Sequence, residues 1–346
     1  MDDILTSISA SDTRAQKQVD ALLEQEGIQR DGNLDYTCGL FDEDWKLVAT
    51  GSCFGSTIRC LAVDRGRQGE GLLNRVVSHL VAIQVQRGNS HLFLYTKPQS
   101  AEFFGDLGFY EVARVEGRLV FMENRRHGFD RYCAVLEQSR REGRSAAIVM
   151  NANPFTLGHL HLVERAASEN DTLHLFILSE EAGPIPFLIR RRLVREGVAH
   201  LPNVICHDSG PYIISGATFP SYFLKDEDTI IQTHAALDLE IFGKIAPRLG
   251  VTRRYVGEEK TSHVTALYNQ EMVRRLPELG IDCQVIPRLE RDGFPVSAST
   301  VRQAIHDGRL EDIRSLVPES TWRYFNAPEA EPVINAIQRM QDVIHD

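Results

Sequence analysis

The sequence predicts an α/β chain of two domains: an α+β domain over residues 1–125 and a parallel-sheet domain over residues 145–346, joined by a linker helix over 126–144. Three observations predict it. The chain has 346 residues, 42% of them hydrophobic, which exceeds what one core ordinarily encloses, since cores stop growing near roughly 250–300 residues. From residue 146 onward, apolar runs of strand length alternate with amphipathic stretches of helix length, the pattern of a parallel sheet with covered faces. Before residue 124, short strands follow one another across turns, with helices between only some of them.

The first element is a helix over 13–26, with a Thr13-x-x-Gln16 capping-box pattern and an apolar stripe of Ala15, Val19, Leu22 and Leu23, ending at Gly27. Strands over 36–41 and 46–53 flank the acidic turn Asp42-Glu43-Asp44 as a hairpin. A third strand, 58–63, enters Arg65-Gly-Arg-Gln-Gly-Glu-Gly71, and a long helix over 72–87 follows. A strand over 91–96, a helical turn from Ala101 and a strand by residue 123 complete the order β, β, β, α, β, α, β. Residues 124–144, rich in Arg and Glu, read as a solvated helix with a boundary near Gly143.

The second domain reads as strand 146–150, helix 158–170, strand 172–178, helix 187–200 and strand 203–207, then helix 229–247, strand 252–256, helix 264–276 and strand 282–286. A helix over 298–307 and a C-terminal helix near 330–344 end the chain. In such sheets ligands bind at the carboxyl ends of the strands. The stretch of interest therefore begins where the first of these strands stops, in Met150-Asn-Ala-Asn-Pro-Phe-Thr-Leu-Gly-His159. Pro154 ends the ladder, and the turn sets Thr156, Gly158 and His159 at a helix N-terminus, where unpaired N–H groups and the helix dipole attract an anion. A second such place is Val296-Ser-Ala-Ser-Thr-Val-Arg302, whose Ser297 and Ser299 hydroxyls suit a helix cap or phosphate oxygens, with Arg302 one turn further on. The glycines of Gln68-Gly-Glu-Gly71, after Val63, make a third anion-binding loop at a helix start.

Composition excludes several classes. A net charge of −10 argues against nucleic acid as a partner. No apolar run approaches the roughly 20 residues of a membrane span. The six cysteines show no CxxC pair and there is no signal-peptide pattern, so reduced thiols in a cytoplasmic protein are expected. No Gly-x-x-x-x-Gly-Lys-[Ser/Thr] loop is present, which excludes P-loop chemistry at a γ-phosphate. No cluster has metal-ligand spacing. Lysines are few, six in all, and three of them, Lys225, Lys244 and Lys260, fall between the two main signatures.

Asn153-Pro-x-Thr-x-Gly-His159 and Val296-Ser-Ala-Ser-Thr-Val-Arg302 are similar to the two signatures of the nucleotidylyltransferase superfamily, with Met150 where that superfamily usually has Gly. Residues 63–73, and Ala101 through Leu107-Gly-Phe-Tyr110, resemble GNAT-type acetyltransferases, with Leu73 where those have Gly or Ala. Together with Pro186-Phe-x-x-Arg190, the run Tyr212 to Lys225, and Tyr255-Val-Gly-Glu-Glu259, the whole chain resembles the citrate lyase ligase family. The resemblance implies a GNAT-like N-terminal domain and a Rossmann-like nucleotidylyltransferase domain. It implies that ATP, with Mg2+, adenylylates acetate, and that the acetyl group passes to the prosthetic-group thiol of the citrate lyase acyl carrier subunit.

On that resemblance His159, Thr156 and Arg302 are the catalytic candidates, and Asn151, Asn153, Gly158, Ser297 and Ser299 bind nucleotide. Gly257, Glu259, Lys225 and Arg190 are further nucleotide-binding candidates, while Val63, Gln68, Gly69 and Gly71 are expected to hold an acyl-pantetheine arm. Two other enzymes remain open: a nucleotidylyltransferase making a CoA- or NAD-type product fused to an N-acetyltransferase, and the equivalent ligase for the malonate decarboxylase carrier. A non-catalytic nucleotide- or CoA-binding regulator is the alternative from another class.

Overall fold

The computed structural model describes residues 3–181, 183–213, 219, 226–259, 263–291 and 293–341. Contacts divide these residues into two units, one made of 3–129 with 226–233 and the other of the remainder.

The first unit opens with β1 (Ile4–Ser7), α1 (Thr13–Gln25), β2 (Tyr36–Phe41), β3 (Leu47–Phe54) and β4 (Thr57–Val63), followed by α2 (Leu72–Gln86) and β5 (Phe93–Thr96). It continues with α3 (Ala101–Asp106), β6 (Tyr110–Val115) and β7 (Leu119–Glu123). The sheet order is β1-β2-β3-β4-β5-β7-β6, antiparallel except where β4 meets β5. That parallel pairing is short, Thr57 with Phe93 and Ile58 with Leu94, so the two strands separate beyond their first residues. Alternation along the strands feeds two cores on opposite faces. Leu40, Ile58 and Leu94 pack with Leu72, Val76 and Leu80 of α2, while Phe41, Leu47 and Ala62 pack with Val19, Leu22 and Leu23 of α1.

Four expectations change in this unit and in the helix that leaves it. The cap of α1 is Asp12, whose carboxylate accepts the Ala15 N–H at 3.0 Å, so Thr13 is the first helical residue and not the cap. Strand β1 joins β2 although its four residues lack an alternating signature, and two strands, not one, follow α3. The helix expected over 124–144 is α4 (Gly128–Glu137) alone, with Cys133 and Leu136 buried. The Glu123 carboxylate accepts the Phe129 N–H at 2.7 Å, a negative charge at the start of that helix.

The second unit alternates β8 (Ser145–Met150), α5 (Leu157–Glu169), β9 (Thr172–Ile177), α6 (Phe187–Gly197) and β10 (Val204–Asp208). Then come α7 (Glu227–Leu249), whose residues to Thr233 group with the first unit, β11 (Val251–Gly257), α8 (His263–Arg275) and β12 (Asp282–Ile286). A small hairpin of β13 (Glu290–Arg291) and β14 (Phe294–Pro295) precedes α9 (Ala298–His306), α10 (Glu319–Phe325) and α11 (Glu331–Gln338). The five-stranded sheet runs β10-β9-β8-β11-β12, parallel throughout. Parallel strands are buried on both faces and read as near-continuous apolar runs, as β8 does from Ala146, while β9 is buried throughout but carries His174. Strand order reverses between β8 and β11, and the crevice at their carboxyl ends is where an open α/β sheet takes its ligand. The C-terminal helices close one face: Val301 and Ile305 of α9, Phe325 of α10 and Val333 and Ile337 of α11 share a core with Ile148 and Val163.

All six cysteines are unpaired. Burial pushes the Cys38 thiol up to about 12 and those of Cys53, Cys60, Cys133 and Cys206 to about 11, so they pack as small apolar groups. No described helix is long and apolar enough to cross a membrane.

Candidate active site

The turn that leaves β8 is held from beneath. Ala152 takes a left-handed conformation, φ +54°, while buried, a strain of about 1–2 kcal/mol for an L-residue, so the turn must be fixed by other contacts. Two arginines supply them. Arg190 of α6, fully buried, donates to the Ile185, Asn151 and Leu178 carbonyls at 2.8–3.1 Å and also to the Glu180 carbonyl and the Asn151 side-chain oxygen. Arg302 of α9 is 1% exposed and donates to the Asn153 carbonyl at 2.7 Å. Both were expected at the anion. In the structure each guanidinium donates to a carbonyl of the turn, since a buried charge needs its hydrogen bonds met inside the protein.

The turn ends in a capped helix. The Thr156 hydroxyl accepts the His159 N–H at 3.3 Å, and His159 Nδ1 accepts the Thr156 N–H at 3.1 Å while lying 2.9 Å from the Thr156 hydroxyl. Accepting at Nδ1 puts the imidazole proton on Nε2, which has no partner among the described residues. Thr156 is fully buried, with its hydroxyl and its N–H both turned to His159. Burial first, then the positive charge of Arg288, push the His159 imidazole down to about 4, leaving it neutral and donor-competent at pH 7. Of the first backbone groups of α5, the Leu157 N–H is taken by the Leu316 carbonyl at 2.9 Å, and the Gly158 N–H keeps no partner among the described residues.

The second signature lies against the first. A Cβ on Gly158 would stand 2.5 Å from the Val296 carbonyl oxygen, so only glycine lets the segment entering α9 approach this closely. Ser297 caps α9, accepting the Thr300 N–H at 3.1 Å, with the Ser299 hydroxyl at 2.9 Å and that of Thr300 at 2.8 Å. The Ala298 and Ser299 N–H groups have no partner among the described residues. Two helix N-termini thus meet at the reversal of strand order, each equivalent to roughly half a positive charge. Beside them the Asn153 side chain is 1% exposed, with neither its oxygen nor its nitrogen hydrogen-bonded. A buried amide left in that state is a candidate for a ligand contact.

From the other side of the crevice, Gly257 ends β11, with open space where a Cβ would stand, and its carbonyl accepts from Asn269 at 3.0 Å. The Glu259 carboxylate pairs with the Arg288 guanidinium, which also donates to the Glu258 carbonyl at 2.8 Å. Arg288 escaped the sequence reading. Its only signal is an arginine in the short loop between the last parallel strand and the hydroxyl-rich helix start. Lys225 lies outside the described residues.

In the first unit Val63 ends β4, Gln68 is exposed, and Gly69 and Gly71 take φ +89° and +74°, with Gly71 in the cap position of α2. These left-handed values require glycine. The Leu72, Leu73 and Asn74 N–H groups at the start of α2 have no partner among the described residues. Arg67 in the same loop is paired with Asp3 and Glu70.

A five-stranded parallel sheet with two capped helix N-termini and a tautomer-fixed imidazole at its strand-order reversal defines an open α/β protein whose candidate site lies at the carboxyl ends of its strands. Residues 145–325 match the family model described as the citrate lyase ligase C-terminal domain. The chain is 38% identical over 316 residues to the citrate (pro-3S)-lyase ligase of Klebsiella pneumoniae, covering 90% of this chain and 92% of that protein. It is also 38% identical over 332 residues to the same-named ligase of Escherichia coli K12, covering 93% of each. The chain belongs to the citrate lyase ligase family. Among solved structures, the ribosomal-protein-S18-alanine N-acetyltransferase of Escherichia coli is 18% identical, covering 35% of this chain and 92% of its own, with a TM-score of 0.28. A protein described as a nicotinate-nucleotide adenylyltransferase, from Vibrio parahaemolyticus, is 17% identical, covering 56% and 96%, with a TM-score of 0.35.

Proposed function

We propose that the second unit joins acetate to AMP, and that the acetyl group then passes to the prosthetic-group thiol on the acyl carrier subunit of citrate lyase, activating that enzyme. In the first step an acetate oxygen attacks the α-phosphorus of ATP. The new P–O bond forms as the bond to the α,β-bridging oxygen breaks, and pyrophosphate leaves with that electron pair. In the second step the carrier thiolate, its proton given to solvent, attacks the acetyl carbonyl carbon and AMP leaves as an anion.

The chain's own groups act on the leaving end. The Gly158 N–H, the His159 Nε2–H and the free N–H groups of α9 are donors set to meet the charge that builds on pyrophosphate. Each such donor is typically worth about 10²–10³ in rate, because it is oriented before the reaction begins. Asn153 and Gly257 offer a buried amide and open space to the nucleotide. Mg2+ neutralises triphosphate charge when bound; no group of three or more His, Cys, Asp or Glu among the described residues could hold a metal, so the ion is expected to arrive with ATP. The loop of Val63, Gln68, Gly69 and Gly71 is proposed to hold the phosphopantetheine arm of the carrier, supported by the unpartnered N–H groups at the start of α2. Unpaired cysteines suit a reducing cytoplasm.

The observation that carries the reading is His159, fixed as an Nε2–H donor beside a second helix N-terminus, in a chain of this family. The test is exchange of labelled pyrophosphate into ATP. Exchange that requires acetate in the wild type and is lost in a folded His159→Ala variant supports the reading. Exchange driven by phosphopantetheine or nicotinamide mononucleotide in place of acetate contradicts it.

A further inference from the structure

We propose that Arg288 is the side chain that meets the triphosphate, and that Glu259 holds it in the ligand-free protein. The proposal deepens the nucleotide reading above and rests on it. A nucleoside triphosphate brings about four negative charges, and two helix N-termini offset only about one of them. The two arginines that the signatures suggest for this task are buried and donate to carbonyls of the turn.

Arg288 differs from both. Its side chain is 25% exposed, while that of its partner Glu259 is 5% exposed. It is also tied to the site by a short chain of contacts. The next residue, Leu289, accepts the Val296 N–H through its carbonyl at 2.9 Å, and the Val296 carbonyl is the group that abuts Gly158. Its backbone neighbourhood is anchored too, since the Glu258 N–H donates to the Ile286 carbonyl at 2.8 Å. The charge of Arg288 is near enough to depress the basicity of His159. A guanidinium held by one carboxylate can exchange that partner for phosphate oxygens of the same forked geometry. Glu259 therefore competes with the ligand and keeps the cation in place until the triphosphate arrives.

The experiment is calorimetric titration of the full chain with inorganic tripolyphosphate, with melting midpoints as a check of folding. Arg288→Gln should weaken binding about 10- to 100-fold, the effect of a lost charged hydrogen bond. Arg288→Lys, which keeps the charge without the fork, should fall between, and gives the comparison if the glutamine variant does not fold. Glu259→Gln should tighten binding severalfold. If Arg288 merely braces the loop, Arg288→Gln and Glu259→Gln weaken binding together, and the proposal is overturned. Equal affinity of wild type and Arg288→Gln, or no binding by the wild type, also overturns it. Acetate-dependent exchange on the same samples separates the two readings. Exchange in the wild type with undiminished tripolyphosphate binding by Arg288→Gln overturns only the role of Arg288. Weakened binding by that variant, in a chain whose wild type lacks such exchange, supports Arg288 and overturns the acetate reading.

Discussion

Gly158→Ala sets two physical effects of opposite sign against each other. Gly158 is the second residue of α5 and does not carry a positive φ, so alanine fits its backbone. On helix propensity alone the substitution would stabilise by about 1 kcal/mol. The packing opposes it, because the new methyl would stand 2.5 Å from the Val296 carbonyl oxygen. Carbon and oxygen settle near about 3.4 Å, so α5 and the segment entering α9 must separate by roughly 0.9 Å. Overpacking of this size typically costs about 1–3 kcal/mol, which outweighs the propensity gain. A displacement of about 1 Å between groups that share one substrate costs on the order of 10² in rate. The expected outcome is a lower melting midpoint and a loss of about 100-fold in kcat/KM for ATP in acetate-dependent pyrophosphate exchange. A variant that is more stable than wild type and exchanges at the wild-type rate would refute the juxtaposition of the two signatures.

Three further outcomes follow from the same geometry. Arg302→Met should cost about 2–4 kcal/mol of stability, read by denaturant midpoint, because it deprives the buried Asn153 carbonyl of a charged donor; exchange should fall with it. Arg190→Met should be more damaging still, since that guanidinium serves four backbone carbonyls, and soluble yield should drop sharply. His174 and His207, buried side by side with ring nitrogens 2.9 Å apart, are both pushed down to about 4, mainly by burial. Between pH 6.5 and 4 the unfolded chain binds these protons and the native chain does not, so stability falls as pH drops through that window. Chemical denaturation at pH 7 and 5 should show the loss, and His174→Leu should reduce it.

Much of the second unit was legible in the sequence because stretches of strand length alternate with amphipathic stretches of helix length, with β8 an unbroken apolar run from Ala146 to Met150. The expected strands 146–150 and 282–286 differ from β8 and β12 by at most one residue at either end. Less visible were β1, whose four residues become a strand only by pairing with β2, and the Asp12 cap, which outcompetes Thr13 through its position alone. At the site, residue identity revealed an anion-binding chemistry but not the direction of each side chain. Arg190 and Arg302 carry the charge a phosphate would want, yet each donates to a carbonyl of the turn 39 and 149 residues away, and no local pattern records that. Thr156 likewise turns inward to His159. Arg288 was missed because the contacts that tie its loop to the turn, through Leu289, Val296 and Gly158, join residues more than a hundred apart in the chain.

Activation of acetate as an adenylate at the turn between β8 and α5 can be followed by incubating the full chain with labelled acetate, ATP and thiol-form citrate lyase, and tracking both the carrier subunit and the nucleotide products. Label should reach the carrier, with AMP and pyrophosphate formed in step with it, and neither product should form with folded His159→Ala. Label transfer accompanied by ADP and phosphate, or undiminished in the His159 variant, would contradict it.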